Sequence, residues 1–362
     1  MENRHAAPAW CKLSTAIQDI HPGIRQPLRL SVLDQSPVIS GHTPAQAVHE
    51  TIRLAKAAER LGYSRYWLAE HHALAALADP CPEILLTRIA AETSTLRVGT
   101  GGILLPYYSP LKVAEQFRML EALYPGRLDL GIGRAPGGDR VTALAMGEGR
   151  YPGAEHFPDQ VQHLVAYLDD ALPPEHPFAA VKAMPAGPTA PQVWLLGSSD
   201  YSGALAAQLG LRFAFAHFIS GEGGDAVMVD YRHRYQPSPR EPMPQALLCV
   251  FVICAESAAE AERLAGSINL RRLNNDYGVN APVPSHEEVR GYPYTEADRR
   301  RIAFHARRLV LGTPDTVRAR LLEMQDLYQA DELMAITITG DYDSRMRSYE
   351  LLAGAFNLGR PR

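Results

Sequence analysis

The sequence predicts an α/β fold, a closed (β/α)8 TIM barrel with insertions covering its C-terminal mouth. Three observations lead there. Short apolar runs of strand length alternate with amphipathic helical stripes from Leu28 onward. Eight such strands can be counted, and strands separated by helices pair in parallel. An open doubly wound sheet would satisfy the same alternation, but the count of eight favours closure. Two connections, about 135–191 and about 258–332, are too long for simple crossovers, and loops of that length usually cover or serve a site. The second holds Tyr292, Pro293 and Tyr294, and both are expected to roof the mouth.

The first strand is Leu28–Leu33. Thr43 then offers an N-cap, Pro44 a first helical residue and Gln46 the far side of a capping box. Val48, Ile52, Ala55 and Leu61 form one helical stripe, and Gly62 ends it. The second strand, Tyr66–Ala69, runs into Glu70-His71-His72. A helix near Pro82–Thr93 leads to the third strand, Leu96–Leu105, interrupted by Gly99, Gly101 and Gly102. The helix Leu111–Leu123 precedes the fourth strand, Arg127–Ile132. The fifth, Val193–Leu196, meets Gly197-Ser198-Ser199-Asp200, where Ser199 or Asp200 can cap a helix ending before Gly210. Phe213–His217 is the sixth strand. Leu247–Cys254 is the seventh, nearly continuously apolar, as a strand buried on both faces should be. A helix opening at Thr313-Pro314, with Val317, Leu321 and Met324 on one face, precedes the eighth, Leu333–Thr339.

The 362 residues are 46% hydrophobic and 21% charged, which is ordinary globular composition and ample for a core. Lys and Arg number 36 against 40 Asp and Glu, so no basic excess points to nucleic acid. No apolar run reaches membrane-spanning length. Cys11, Cys81, Cys249 and Cys254 show neither C-x-x-C nor zinc spacing, which fits reduced thiols in a cytoplasm. Residues 1–27, polar and broken by Pro8, Pro22 and Pro27, read as an N-terminal extension to one domain over 28–362.

Reactive groups of such a barrel gather where strands end at the C-terminal face. Asp34 ends the first strand. Glu70, His71 and His72 end the second, a run that suits a ligand-bonding or proton-moving histidine, although one of the pair could simply satisfy buried backbone. Asp34 and His217 could complete a metal site, but no H-x-H or H-E-x-x-H supports one, and no metal is expected. Gly101 and Gly102 allow a planar ligand to lie on backbone, or mark a bulge. Arg134 stands in a glycine-rich mouth, free to meet a phosphate or to pair with Asp129 or Asp139. Pro136 occupies the place where a dinucleotide fingerprint needs its third glycine. Ser198, Ser199 and Ser202 open a helix, as an anion site or as ordinary caps.

Taken together these segments resemble the bacterial luciferase-like flavin monooxygenases, from about Leu28 to about Phe356. The resemblance rests on Trp67-Leu68-Ala69-Glu70-His71-His72, on Gly99 through Pro106, on Gly126 through Arg134, on Gly197 through Ser202 and on Gly312-Thr313-Pro314, all in the family's order. It implies a barrel, often a homodimer, that binds FMN at the mouth. Carried over by position, Arg134, Ser198, Ser199 and Ser202 would hold the FMN phosphate, and Leu196 would line the flavin. Gly101-Gly102 falls at the family's non-proline cis peptide and His71 at its catalytic histidine, with His72 beside it. Asp34, Tyr107 and His217 would shape the substrate space.

The implied reaction is monooxygenation of a small organic substrate by O2 and reduced FMN, the latter delivered by a separate flavin reductase. The alternatives are a deazaflavin- or FMN-dependent dehydrogenase or reductase and a non-catalytic flavin-binding protein. The luciferases themselves have a cysteine where this chain has Gly133, a tryptophan at His217 and an acidic residue at Ser198. These departures speak against light emission and long-chain aldehyde use.

Overall fold

A computed structural model describes residues 28–134, 137–150 and 153–359; the expected N-terminal extension and Pro136 lie outside them. Nine parallel strands follow in chain order: β1 (Arg29–Asp34), β2 (Arg65–Leu68), β3 (Arg97–Leu104), β4 (Leu128–Gly133), β5 (Gln192–Gly197), β6 (Arg212–Ala216), β7 (Ala246–Cys254), β8 (Leu309–Gly312) and β9 (Glu332–Ile336). Strands β1 to β7 pair in sequence, β9 joins β7, and β9 returns to β1, so eight strands close the barrel.

The ninth strand, β8, was not legible as one. It extends the upper half of β7, where Phe251–Cys254 pair with Leu309–Gly312, while the lower half, Leu247–Phe251, pairs with β9. Four residues with every second one only half-buried carry little pattern, and they sit inside a stretch read as an insertion. The last barrel strand also stops at Ile336 rather than Thr339. Thr337 leaves the sheet because its hydroxyl donates to the Val252 carbonyl (2.7 Å) and its amide to the Tyr349 hydroxyl (3.1 Å).

Alternation along the strands sorts two apolar clusters. Val32, Tyr66 and Leu333 face outward to the helices, whereas their neighbours Leu33, Trp67 and Met334 fill the interior. The outer layer includes α1 (Pro44–Leu61), α2 (Pro82–Glu92), α3 (Pro110–Leu123), α5 (Phe157–Asp169), α6 (Asp200–Gln208), α7 (Gly224–Arg234), α11 (Pro314–Tyr328) and α12 (Tyr342–Ala355); α4 (Arg140–Met146) lies in the first insertion. Thr43 and Gln46 form the expected capping box, and Gly62 caps α1 at φ 87°.

The barrel floor is closed by charge. Arg65, inward by the same alternation as Trp67, reaches Asp129 at 2.8 Å, Glu332 at 3.0 Å and Gln192 at 3.0 Å. Asp129 also accepts from the Trp67 indole at 2.9 Å and from Arg97 at 2.7 Å. Buried charges of both signs thus satisfy one another, and the open end is the mouth.

The second insertion contributes α8 (Ala258–Asp276), α9 (His286–Gly291) and α10 (Glu296–Ala306). Beyond α8 the chain is tied to the loops after β1 and β2. The Asn280 side chain bonds the Ala75 amide and the Ala73 carbonyl, and Val283 exchanges backbone bonds with Val38 and Ser40. Among the described residues no helix is long and apolar enough to cross a membrane.

Candidate active site

A cavity of about 590 Å³ opens at the C-terminal ends of the strands. This lies within the roughly 300–1,000 Å³ typical of ligand pockets. Its base is apolar, with Leu33, Trp67, Leu247 and Met334. Phe157 and Gly137 of the first insertion line it, and no described residue of the second does so.

One side of the cavity gathers groups suited to an anion. Arg134 at the end of β4 stacks its guanidinium 4.5 Å from the centroid of the Tyr201 ring. The carboxylates offered as its structural partners are engaged elsewhere: Asp129 by Arg65 and Arg97, and Asp139 by capping α4 through the Thr142 amide. Ser199 stands at the N-cap of α6, yet its side chain makes no capping hydrogen bond. The Ser202 hydroxyl donates to the Ser199 carbonyl at 2.8 Å and lies 3.4 Å from the Ser199 hydroxyl. Hydroxyls, first-turn amides of a helix and an uncommitted guanidinium all face one wall, the chemistry of a phosphate seat.

The neighbouring wall is backbone. Gly101-Gly102 is a cis peptide, as the resemblance implies, and it coincides with a register shift between Thr100 and Ile103. The glycines thus mark a bulge and also line the cavity. A Cβ at Gly102 would come 2.7 Å from the Gly131 carbonyl oxygen, and one at Gly101 2.6 Å from Leu33 Cδ1.

At the end of β2 the three ionisable residues part company. Glu70 is buried and fully used: it accepts from the Leu104 amide (2.9 Å), the Tyr108 hydroxyl (2.6 Å) and His72 Nε2 (2.7 Å). His71 turns the other way and lines the cavity. Its Nδ1 lies 3.3 Å from the Ala69 carbonyl, which can only accept, so the proton sits on Nδ1 and the Nε2 lone pair is free. Burial pushes the imidazole down to about 4, with the nearby Arg271 charge acting in the same direction, so it is neutral at pH 7.

Four residues expected at the site are not brought to it. His72 is held by Glu70 beneath the surface of the cavity. Asp34 is fully buried and bonded to Arg345, Tyr66 and the Ser36 amide. Burial would raise its pKa, but the Arg345 guanidinium and the Tyr66 hydroxyl hold it below the usual carboxylate range. His217, in the turn just past β6, does not line the cavity; its ring packs 5.8 Å from Tyr328. Tyr107 packs edge-on to His72 and Tyr108 and does not line the cavity. Conversely, Trp67, Phe157 and Tyr201 line it without having been singled out. Trp67 could have been found, since the alternation that sends Tyr66 outward sends it in.

The sequence model of the luciferase-like monooxygenases matches residues 28–330. A Bacillus subtilis (strain 168) protein, the uncharacterised YceB, is 45% identical over 91% of this chain and 99% of its own length. This chain belongs to the luciferase-like monooxygenase family. A second B. subtilis relative, N-acetyl-S-alkylcysteine monooxygenase, is 33% identical over 91% of this chain and 98% of its own. The crystal structure of apo-MsnO8 superposes with a TM-score of 0.85 at 42% identity, covering 92% of this chain and all (100%) of that one. The fold is shared at 18% identity (TM-score 0.67, 91% and 97% coverage) by the oxygenating constituent of a 3,6-diketocamphane monooxygenase of Pseudomonas putida in complex with FMN. This chain is thus an oxidoreductase of the luciferase-like family on a parallel barrel, with a cavity at the expected end.

Proposed function

We propose that this protein is a flavin-dependent monooxygenase that uses reduced FMN and O2 on a small organic substrate. The observation that carries the reading is the convergence, on one cavity, of an uncommitted arginine, three serines at a helix start, a backbone wall and a neutral histidine. Arg134, Ser198, Ser199 and Ser202 would hold the FMN phosphate. The walls at Gly101-Gly102 and Leu196 would take the planar ring, since no side chain stands between it and the backbone. Bound reduced flavin supplies the electrons that activate oxygen for transfer to the substrate. Leu33, Trp67 and Met334 keep water from beneath the reacting atoms. His71 offers its Nε2 lone pair to accept a proton or hydrogen bond at the reacting centre, which its low pKa permits at neutral pH. A separate reductase delivers the reduced flavin, because the chain carries no nicotinamide fingerprint. The two relatives named above as monooxygenases support oxygenation, and the P. putida complex supports FMN.

The test mixes protein loaded anaerobically with reduced FMN against oxygenated buffer. A long-lived absorbance distinct from oxidised flavin is expected. Immediate oxidation at the free-solution rate, or preference for a deazaflavin over FMN, would overturn the reading. Arg134→Ala should weaken FMN binding by roughly tenfold or more, as loss of a charged hydrogen bond worth about 1.5–3 kcal/mol predicts. An unchanged affinity removes Arg134 from the phosphate.

A further inference from the structure

A buried polar side chain of the cavity has no hydrogen-bond partner among the described residues. Gln35 follows Asp34 at the C-terminal end of β1. Its two chain neighbours are committed to helices: Asp34 to Arg345 on α12, and the Ser36 hydroxyl, as acceptor at 2.9 Å, to Thr51 on α1. Gln35 lines the cavity between them, only 8% exposed, and its carboxamide makes no hydrogen bond among the described residues. Extending the β1–β2 register by one residue sets Gln35 level with Ala69, whose carbonyl holds the His71 ring. Gln35 and His71 thus stand at the ends of adjacent strands. The wall offered to FMN, from Gly101-Gly102 to the serines, occupies β3 to β5. Gln35 falls outside it, on the arc β7–β9–β1–β2.

That arc carries no free charge among the lining residues. Leu33, Leu247 and Met334 are apolar, and the Trp67 indole N–H is spent on Asp129. Burial pushes the Cys249 thiol up, so it stays protonated, and His71 is neutral at pH 7. Glu70 is occupied by its three donors, and Arg134 stands on the FMN wall. Arg271, whose charge acts on His71, does not line the cavity. An ion on this arc would lose its water without gaining a counter-charge. A carboxamide presents a donor, Nε2, beside an acceptor, Oε1. Both are satisfied together by a group with the same two features reversed. An uncharged amide has them, a ketone leaves Oε1 unpaired, and a carboxylate sets an anionic oxygen against it. A buried polar group left unpaired is penalised, so such a site rejects analogues that lack the matching group.

We propose that Gln35 recognises the substrate, and that the substrate is an uncharged amide on an otherwise apolar organic molecule. The inference rests on the flavin reading, because FMN on the β3–β5 wall leaves the β7–β9–β1–β2 arc to the substrate.

The test is calorimetry on protein loaded with oxidised FMN, which binds probes without turning them over. Phenylacetamide, phenylacetone and phenylacetate share one apolar body and differ in the polar group. Phenylacetamide should bind at least about tenfold more tightly than the other two. Gln35→Glu keeps the size but removes the donor, and should weaken phenylacetamide by about tenfold or more. Gln35→Leu should bind phenylacetamide no more tightly than phenylacetone. FMN affinity, followed separately by flavin fluorescence, should match the wild type in both variants, which also shows that they fold. Equal binding of amide and ketone by the wild type, a preference for phenylacetate, no binding of any probe, or an amide preference that survives both substitutions would each overturn the proposal. Loss of FMN affinity in a folded variant would assign Gln35 to the cofactor and overturn it as well. If a variant does not fold, the order of the three probes on the wild type decides. If FMN does not bind the wild type, the cofactor reading fails by itself, and the probe order is read on the flavin-free protein.

Discussion

His71 and His217 both have imidazoles pushed down to about 4 by burial, with different surroundings. His71 has a carbonyl for Nδ1 and a cavity for its other nitrogen; His217 Nδ1 has no hydrogen-bond partner among the described residues. For both, the folded pKa lies below the unfolded value of about 6.5, so the unfolded chain binds the extra proton first. Their contribution to stability is complete above pH 6.5 and is lost as pH falls towards 4. The melting temperature should therefore drop between pH 7 and pH 5. His217→Leu should recover part of that drop, on the order of 1 kcal/mol, because the ring packs edge-on against Tyr328 and its Nδ1 has no hydrogen-bond partner among the described residues. An identical pH profile in the variant would show that His217 is not the source. At this scale sequence reading succeeded with residue types and failed with directions. Asp34, His72 and His217 are chemically apt, but each side chain is turned away or claimed by another residue: Arg345, distant in the chain, for Asp34, and Glu70, two residues away, for His72.

Elements were legible where a local signal exists. The α1 capping box, the Gly62 stop and the continuous burial of β7 follow from neighbouring residues, and the structure has them. Strand β8 was missed because its reason to exist is the free upper edge of β7, which no local pattern records. The start of α6 is the element on which the anion wall depends. A Cβ on Gly197 would fall 2.0 Å from Ser202 Oγ and 2.3 Å from Ser202 Cβ, so the first turn packs directly on the end of β5. Gly197→Ala should push this turn away, raising the FMN dissociation constant by about tenfold or more in a fluorescence titration. An unaltered constant would show that the α6 turn does not hold the phosphate.

Across the whole molecule the two ends of the barrel are built differently. The floor is a locked set of charges around Arg65, whereas the roof is a helix fastened by a few bonds. Asn280 supplies two of these, at 2.8 Å to the Ala75 amide and 2.9 Å to the Ala73 carbonyl. Asn280→Ala should raise amide hydrogen exchange in α8 and in the loop after β2 while leaving β3 to β5 protected. Faster exchange throughout the barrel would mean that the roof and the barrel unfold as one unit.

The sequence by itself determined the barrel, the chain order of its eight closing strands, and the cavity end, because strand period, helix caps and parallel crossovers are local or topological consequences of residue pattern. It also marked His71, Arg134, Ser198, Ser199, Ser202 and the Gly101-Gly102 pair, which the structure brings to one cavity. Only the tertiary structure decided which ionisable groups are spent on one another and which are left over. Arg65, Glu70 and Asp34 are satisfied by partners from other strands and helices, while Arg134 has no carboxylate paired with it among the described residues. That distinction depends on distances between segments far apart in the chain, and so it exists only once the barrel has closed.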